Sequence, residues 1–230
     1  MTTSDNLVFL IDVDNTLLDN DQVIADLYRH LEKEFGATEA GRYSDILEGL
    51  RSELGYVDYL GALQRYRAQE SHRGMSDPRL LLMSSFLIDY PFAERLYPGA
   101  LDALQRLRHS GPTVILSDGD VVFQPRKVQR AGLWDATEGR VLIYVHKEQM
   151  LDVIEHIHPA RHYVMIDDKL RILAAMKAIW GDRLTTVFVR QGHYAFDIDA
   201  MAGLAPADLT IEHIADLNHI DWPSIPGIQQ

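Results

Sequence analysis

The stretch Leu7–Asn20, LVFLIDVDNTLLDN, drives an apolar run straight into Asp12 and Asp14 and then turns polar. Residues of this kind, short and unbroken in their hydrophobicity, read as a strand buried on both faces. A buried strand that ends in two carboxylates is expensive in solvation, so the pair calls for a chemical reason as well as a structural one.

Working outward, similar runs recur at TVILSD (113–118), RVLIYVH (140–146), YVMIDD (163–168) and TTVFVRQ (185–191). Helical patterns separate them. ALDALQRLRHSG puts Leu101, Leu104 and Leu107 on one face and stops at Gly111, EQMLDVIEHIHP stops at Pro159, and LRILAAMKAIWG stops at Gly181. Alternation of this sort predicts βαβ units and an α/β fold, a three-layer α/β/α doubly wound parallel sheet. Between about Leu18 and Pro91 the pattern is helical throughout, far longer than an ordinary crossover. We therefore expect an inserted helical subdomain over 18–91, with the α/β core formed by 1–17 and 92–230. The closing PSIPGIQQ (223–230) reads as a loose tail.

Composition bounds the partners. With 230 residues, 47% of them apolar, the chain can bury a substantial core. A formal net charge of −12 argues against nucleic acid and anionic membranes and favours a small ligand. The absence of cysteine removes disulfides, thiolate metal sites and a cysteine nucleophile together. No window resembles a signal peptide or a membrane span, so a soluble, unprocessed, cytoplasmic protein, monomer or homodimer, is expected. GxGxxG, GxxxxGK[ST] and GxSxG are all missing, which leaves dinucleotide, P-loop and serine-hydrolase readings without support.

In an open parallel sheet, ligands bind beyond the carboxyl ends of the strands. The residues there are Asp12 and Asp14 after the first strand, Ser117 after the second, Lys147 after the third, and Asp167 with Asp168 after the fourth. Carboxylates gathered this way repel one another unless a cation or a lysine neutralises them. Magnesium, a hard ion that prefers oxygen ligands, suits three carboxylates best.

These residues match a known pattern. DVDNT at Asp12–Thr16, Ser117 closing VILS, Lys147 ahead of a helix, and IDD at Ile166–Asp168 resemble the four ordered motifs of the haloacid dehalogenase (HAD) superfamily, and the insertion resembles its helical C1 cap. The resemblance implies a magnesium-dependent hydrolase of a small phosphorylated metabolite, working through a phosphoaspartate. Asp12 would be the nucleophile and a metal ligand, and Asp14 the acid and base, its backbone carbonyl also on the metal. Ser117 and Lys147 would hold the phosphoryl oxygens, with Thr16 and Asp118 beside them. Asp167 would ligate the metal, and Asp168 would ligate it through water or orient the lysine.

Other residues receive plainer readings. Lys127, inside QPRKVQRAGL, is assigned to a solvated helix face, and Lys169 to surface charge or a local salt bridge. The pairs Asp19/Asp21, Asp118/Asp120 and Asp197/Asp199 read as turns or solvated surface, with Asp118 pointing away from the phosphate site. His156, His158 and His162 read as a solvated helix end, since they share no face and HExxH is absent. In the insertion, Arg51, Tyr56, Tyr59, Arg65 and Arg67 are candidates for reading a leaving group, each more readily a surface or packing residue.

Three alternatives stand beside the phosphatase. A phosphomutase of the beta-phosphoglucomutase type keeps all four motifs. A 2-haloacid dehalogenase dispenses with the aspartate two residues after the nucleophile, which is present here. A non-catalytic binding protein would be expected to lose the nucleophile or the metal carboxylates.

Overall fold

In the computed structural model, residues 7–69, 78–225 and 227–228 are described. Six parallel strands form one sheet: β1 (Leu7–Ile11), β2 (Thr113–Asp118), β3 (Val141–Tyr144), β4 (His162–Asp167), β5 (Leu184–Val189) and β6 (Leu209–Ile211), in the order β3-β2-β1-β4-β5-β6. The chain steps outward from β1 to β3, then returns to the other side of β1 to begin β4. That reversal opens a crevice at the carboxyl ends of the central strands.

Side-chain alternation along each central strand divides the core in two. Phe9 and Ile11 of β1, Ile115 of β2, and Val164 and Ile166 of β4 enter one cluster. Val8 and Leu10, Val114 and Leu116, and Tyr163 and Met165 enter the other. Both faces of the sheet are therefore covered, as the near-continuous apolar runs predict. β3 departs from this expectation: all four of its residues are half-buried, because an edge strand has cover on one side only. β6 was not anticipated. Its three residues are too few to display a periodicity.

The layers are completed by α5 (Ala100–Leu107), α6 (Phe123–Arg130), α7 (Leu133–Ala136), α8 (Leu151–Ile157), α9 (Leu170–Trp180) and α10 (Ile198–Met201). The helix expected from EQMLDVIEHIHP begins later, since Lys147–Gln149 form a 3₁₀ turn ahead of α8. The tail is also less loose than expected. Trp222 is buried edge-on against Phe9 with ring centroids 4.9 Å apart, and Ile225 and Ile228 pack on the same cluster. Residues 226, 229 and 230 lie outside the described residues.

Four helices follow β1: α1 (Asn20–Phe35), α2 (Ala37–Leu54), α3 (Tyr59–Gln69) and α4 (Pro78–Asp89). Each of the first three packs on its successor, burying Leu27, Leu31, Tyr43, Leu47, Leu50, Leu63 and Tyr66. Asp19 caps α1 by accepting from the Gln22 N–H at 2.9 Å. The segments that leave and re-enter the sheet pair with each other, through an antiparallel bridge between Leu18 and Leu96 and a Tyr97 N–H bond to the Leu17 carbonyl of 2.9 Å. Among the described residues no helix is long and apolar enough to cross a membrane.

A polar clasp reinforces that joint. Asp26 of α1 accepts from Arg95 Nη2 at 2.7 Å and from the Tyr90 hydroxyl, and Arg95 Nε donates to the same hydroxyl at 2.7 Å. Partial burial pushes the Asp26 carboxyl up, but Tyr90 and Arg95 outweigh it and hold it at about 2, below its ordinary 3.8. A depressed carboxyl stabilises the fold above its unfolded value and loses that contribution as pH falls toward its folded value. Asp26→Asn should therefore cost about 1 kcal/mol near neutrality, with the gap to the native chain closing as pH falls from about 4 toward about 2. Denaturant melts at several pH values would show it, and a gap that does not narrow would remove the clasp.

Candidate active site

The loop after β1 is a tight turn. The N–H groups of Leu17 and Leu18 both bond the Val13 carbonyl at 2.9 Å, and the Asp12 N–H bonds Ile166 of β4 at 3.0 Å. Asn15 sits in the left-handed region, with φ of 60°, where asparagine is tolerated better than most side chains. Its Oδ1 accepts from the N–H groups of Asn20 and Asp21 at 3.0 and 3.2 Å, which stitches the loop to the start of α1. Gly192 is required opposite, because a Cβ there would lie 2.4 Å from that of Asn15.

This turn places Asp12 in a buried cluster. Lys147, wholly enclosed, puts Nζ 2.6 Å from Asp12 Oδ1 and 2.7 Å from Asp167 Oδ2, and bonds the Leu116 carbonyl at 3.2 Å. Thr16 Oγ1 donates to Asp12 Oδ2 at 3.3 Å and accepts from the Asp168 N–H at 3.1 Å. The Lys169 N–H donates to Asp167 Oδ1 at 2.8 Å. Burial works to lower the Lys147 pKa, yet Asp12, Asp167 and Asp118 more than reverse this and hold it above the ordinary lysine value. Burial drives Asp168 well above the usual carboxylate range, with the neighbouring Asp167 adding to it. Asp167 is also raised by burial, against the pull of Lys147.

Asp12, Asp167 and Asp168 each offer an oxygen, and these oxygens lie within 4.8 Å of one another. Both oxygens of Asp168 are buried and have no hydrogen-bond partner among the described residues. Native interiors seldom leave a carboxylate in that state. The donor set, all oxygen and anionic, fits a hard divalent cation. Asp168 does not orient the lysine: Asp167 and Asp12 do.

Ser117 and Asp118 close β2. Ser117 Oγ accepts from Gln124 Nε2 at 2.9 Å, and Asp118 accepts from the Lys147 N–H at 2.9 Å. Asp118 thus grips the backbone that carries the lysine instead of lying on solvated surface. Asp120 and Asp197 do cap turns, accepting from Phe123 and Ala200 N–H groups.

Lys127 overturns the solvated reading. It is 1% exposed, and its Nζ lies 2.7 Å from Asp14 Oδ1 and 3.0 Å from Asn20 Oδ1. Gln124 Nε2 reaches the other oxygen of Asp14 at 3.4 Å. Lys169 is half-buried, not on the surface, with Nζ 4.9 Å from the centre of the Tyr194 ring. The histidines do not converge: His156 is exposed, His158 ends α8, and His162 is buried in β4 with its Nε2 2.8 Å from Thr185 Oγ1.

Asp14 opens onto a cavity of about 340 Å³ between the sheet's carboxyl edge and the helical insertion. Arg51, Tyr56 and Tyr59 line it, with Tyr28, Phe123 and Tyr194. Arg65 faces Glu53 at 2.8 Å, and neither it nor Arg67 lines the cavity.

Fold and site together define an α/β protein with a buried carboxylate and lysine cluster at the switch point of its sheet. A family model described as haloacid dehalogenase-like hydrolase matches residues 7–179, and the chain belongs to that family. It is similar to a haloacid dehalogenase-like hydrolase from Burkholderia xenovorans, 66% identical with a TM-score of 0.88 over 94% of this chain and 97% of that one. The fold is shared with the HAD-hydrolase YfnB from Bacillus subtilis, crystallised bound to magnesium, at 18% identity and a TM-score of 0.61 over 94% and 98% of the two chains. A dehalogenase structure shares it at 19% identity and a TM-score of 0.57 over 98% and 99%. No curated protein matches the chain.

The unpaired carboxylate of Asp168 generates a test. Magnesium should raise the melting temperature, by the equivalent of about 2.7 kcal/mol at 100 times its Kd. Asp168→Asn should melt no lower than the native chain in chelator and gain much less from the ion. Equal gains in a thermal-shift titration would place the cation elsewhere.

Proposed function

We propose that the chain is a magnesium-dependent phosphohydrolase that cleaves a small phosphorylated metabolite through a phosphoaspartate on Asp12. The observation that carries this reading is Asp14, a carboxylate two residues beyond the nucleophile, held at the cavity wall by Lys127 and Gln124. Halide leaves carbon without needing a proton, so dehalogenation has no use for a general acid there. An alkoxide leaving phosphorus does.

Asp12 attacks phosphorus, forming an acyl phosphate as the bond to the leaving oxygen breaks, while Asp14 gives that oxygen its proton. Water then attacks the same phosphorus, Asp14 takes its proton, and the bond to Asp12 breaks to release inorganic phosphate. Ser117 and Lys147 steady the phosphoryl oxygens, where charge accumulates. Asp12, Asp167, Asp168 and the Asp14 carbonyl would hold magnesium, which supplies charge neutralisation between an anionic nucleophile and an anionic substrate. The magnesium bound by the Bacillus subtilis hydrolase of the same fold supports that choice of ion. Residues 18–91 act as the cap over a core of 1–17 and 92–230, and the cavity between them receives the leaving group. The acidic chain and the size of the cavity favour a small metabolite over nucleic acid or membrane.

Asp14→Asn tests the reading. Hydrolysis of an alkyl phosphate should fall on the order of 10²-fold or more. An aryl phosphate should still phosphorylate Asp12, and the phosphoenzyme should accumulate as a mass increase on the peptide carrying Asp12. Equal losses on both substrates with no phosphoenzyme would defeat the proposal.

A further inference from the structure

We infer that Lys127 is a positioning residue that orients Asp14 so that Oδ2 alone handles the proton, an inference that rests on the phosphohydrolase reading. Burying an ammonium is costly unless it is fully paired, and a lysine on a solvated helix face would stay in water. Here the face of α6 formed by Phe123, Gln124, Lys127 and Val128 is buried, which carries Lys127 under the cavity instead of away from it.

Its ammonium meets three groups: Asp14 Oδ1 at 2.7 Å, Asn20 Oδ1 at 3.0 Å, and the Phe123 ring, whose centre is 5.3 Å away. Asp14 itself is different in kind, with 24% of its side chain exposed, on the wall of the cavity. A carboxylate in that position rotates freely unless one oxygen is pinned. Lys127 pins Oδ1 with a short charge-assisted bond. The 3.4 Å contact from Gln124 to Oδ2 is long and weak, leaving that oxygen available to the leaving group and to water. Lys147 cannot serve in its place, being engaged by Asp12 and Asp167. Lys127 touches neither the nucleophile nor the metal carboxylates, and it acts through Asp14.

The test compares Lys127→Met, which keeps the stem and removes the charge, with Lys127→Gln, which keeps a donor toward Oδ1. Lys127→Met should lower kcat on an alkyl phosphate by about 10-fold to 10²-fold, the range expected for a misplaced acid, with KM changed less than about 3-fold. Phosphorylation of Asp12 by an aryl phosphate in a single turnover should stay close to the native rate. Lys127→Gln should recover part of the alkyl activity. In an Asp14→Asn background Lys127→Met should cost nothing further, since two residues acting as one unit are non-additive. Equal losses on both substrates, or additive losses in the double variant, would overturn the inference and leave Lys127 a structural ion pair. Should Lys127→Met fail to fold, the split between substrates in Lys127→Gln decides in the same way. A native chain that hydrolyses no phosphate ester would sink the phosphohydrolase reading and this role with it, whereas native activity with no split would sink this role alone.

Discussion

Five aspartates, Asp12, Asp14, Asp118, Asp167 and Asp168, stand at the carboxyl edge of the sheet, and their charge has to be managed. Asp12, Asp167 and Asp168 are buried, and each ionised carboxylate taken from water costs several kcal/mol before compensation. Lys147 is the central compensation, lying within 2.7 Å of two of them. The chain has to travel out through β2 and β3 and return a lysine across the crevice, and Asp118 fixes that return by gripping the Lys147 backbone. The 3₁₀ turn after β3 and the burial of Lys147 both serve this electrostatic constraint.

One lysine does not suffice for five carboxylates, and the remaining cations are distributed by task. Lys127 goes to Asp14, at the cavity wall. Lys169 follows the paired aspartates and is held above the ordinary lysine value by Asp12, Asp168 and Asp167, although burial pulls the other way. Asp168 keeps both oxygens without a hydrogen-bond partner among the described residues even so. A site that leaves one buried carboxylate unmatched after three lysines have been placed is matched to a ligand of positive charge.

Much of this was legible in the sequence because it depends on position along strands. A strand buried on both faces announces itself by an unbroken apolar run, and the residue after such a run must lie at the carboxyl edge. Asp12, Ser117, Lys147 and Asp167 could be placed on that ground alone. Lys127 could not. Its helix reads QPRKVQR, polar on nearly every side, so periodicity gives no hint that the lysine face turns inward beneath the cavity. Gln124 was overlooked for the same reason, and Asn15 because its work is done by a left-handed backbone and two N–H groups. The one usable signal was the spacing of Phe123 and Val128, an apolar pair on the face of Lys127 too short to separate from chance. Asp118 was misjudged because its partner is a backbone amide 29 residues away, which no side-chain pattern can reveal.

The two sides of the cavity are held with unequal strength. At the base, Asn15 binds the first residues of α1, Nδ2 of the same side chain donates to Asp21 at 3.0 Å, and Asp21 accepts from the His193 N–H at 2.8 Å. The Asn15 bonds are partly buried and the His193 bond is exposed, and bonds linked through shared residues in this way reinforce one another. At the rim, Arg51 of α2 reaches the Tyr194 hydroxyl at 2.7 Å, an exposed contact worth little against the freedom of two long side chains. The helical insertion is therefore anchored where it joins the Asp12–Leu18 loop and weakly tied where it faces solvent. Asn20 belongs to the anchored side and also touches Lys127. Hence the position of Asp14 is tied to the same few residues that fix where the insertion begins, and Asp14 and the roof of the cavity share one foundation.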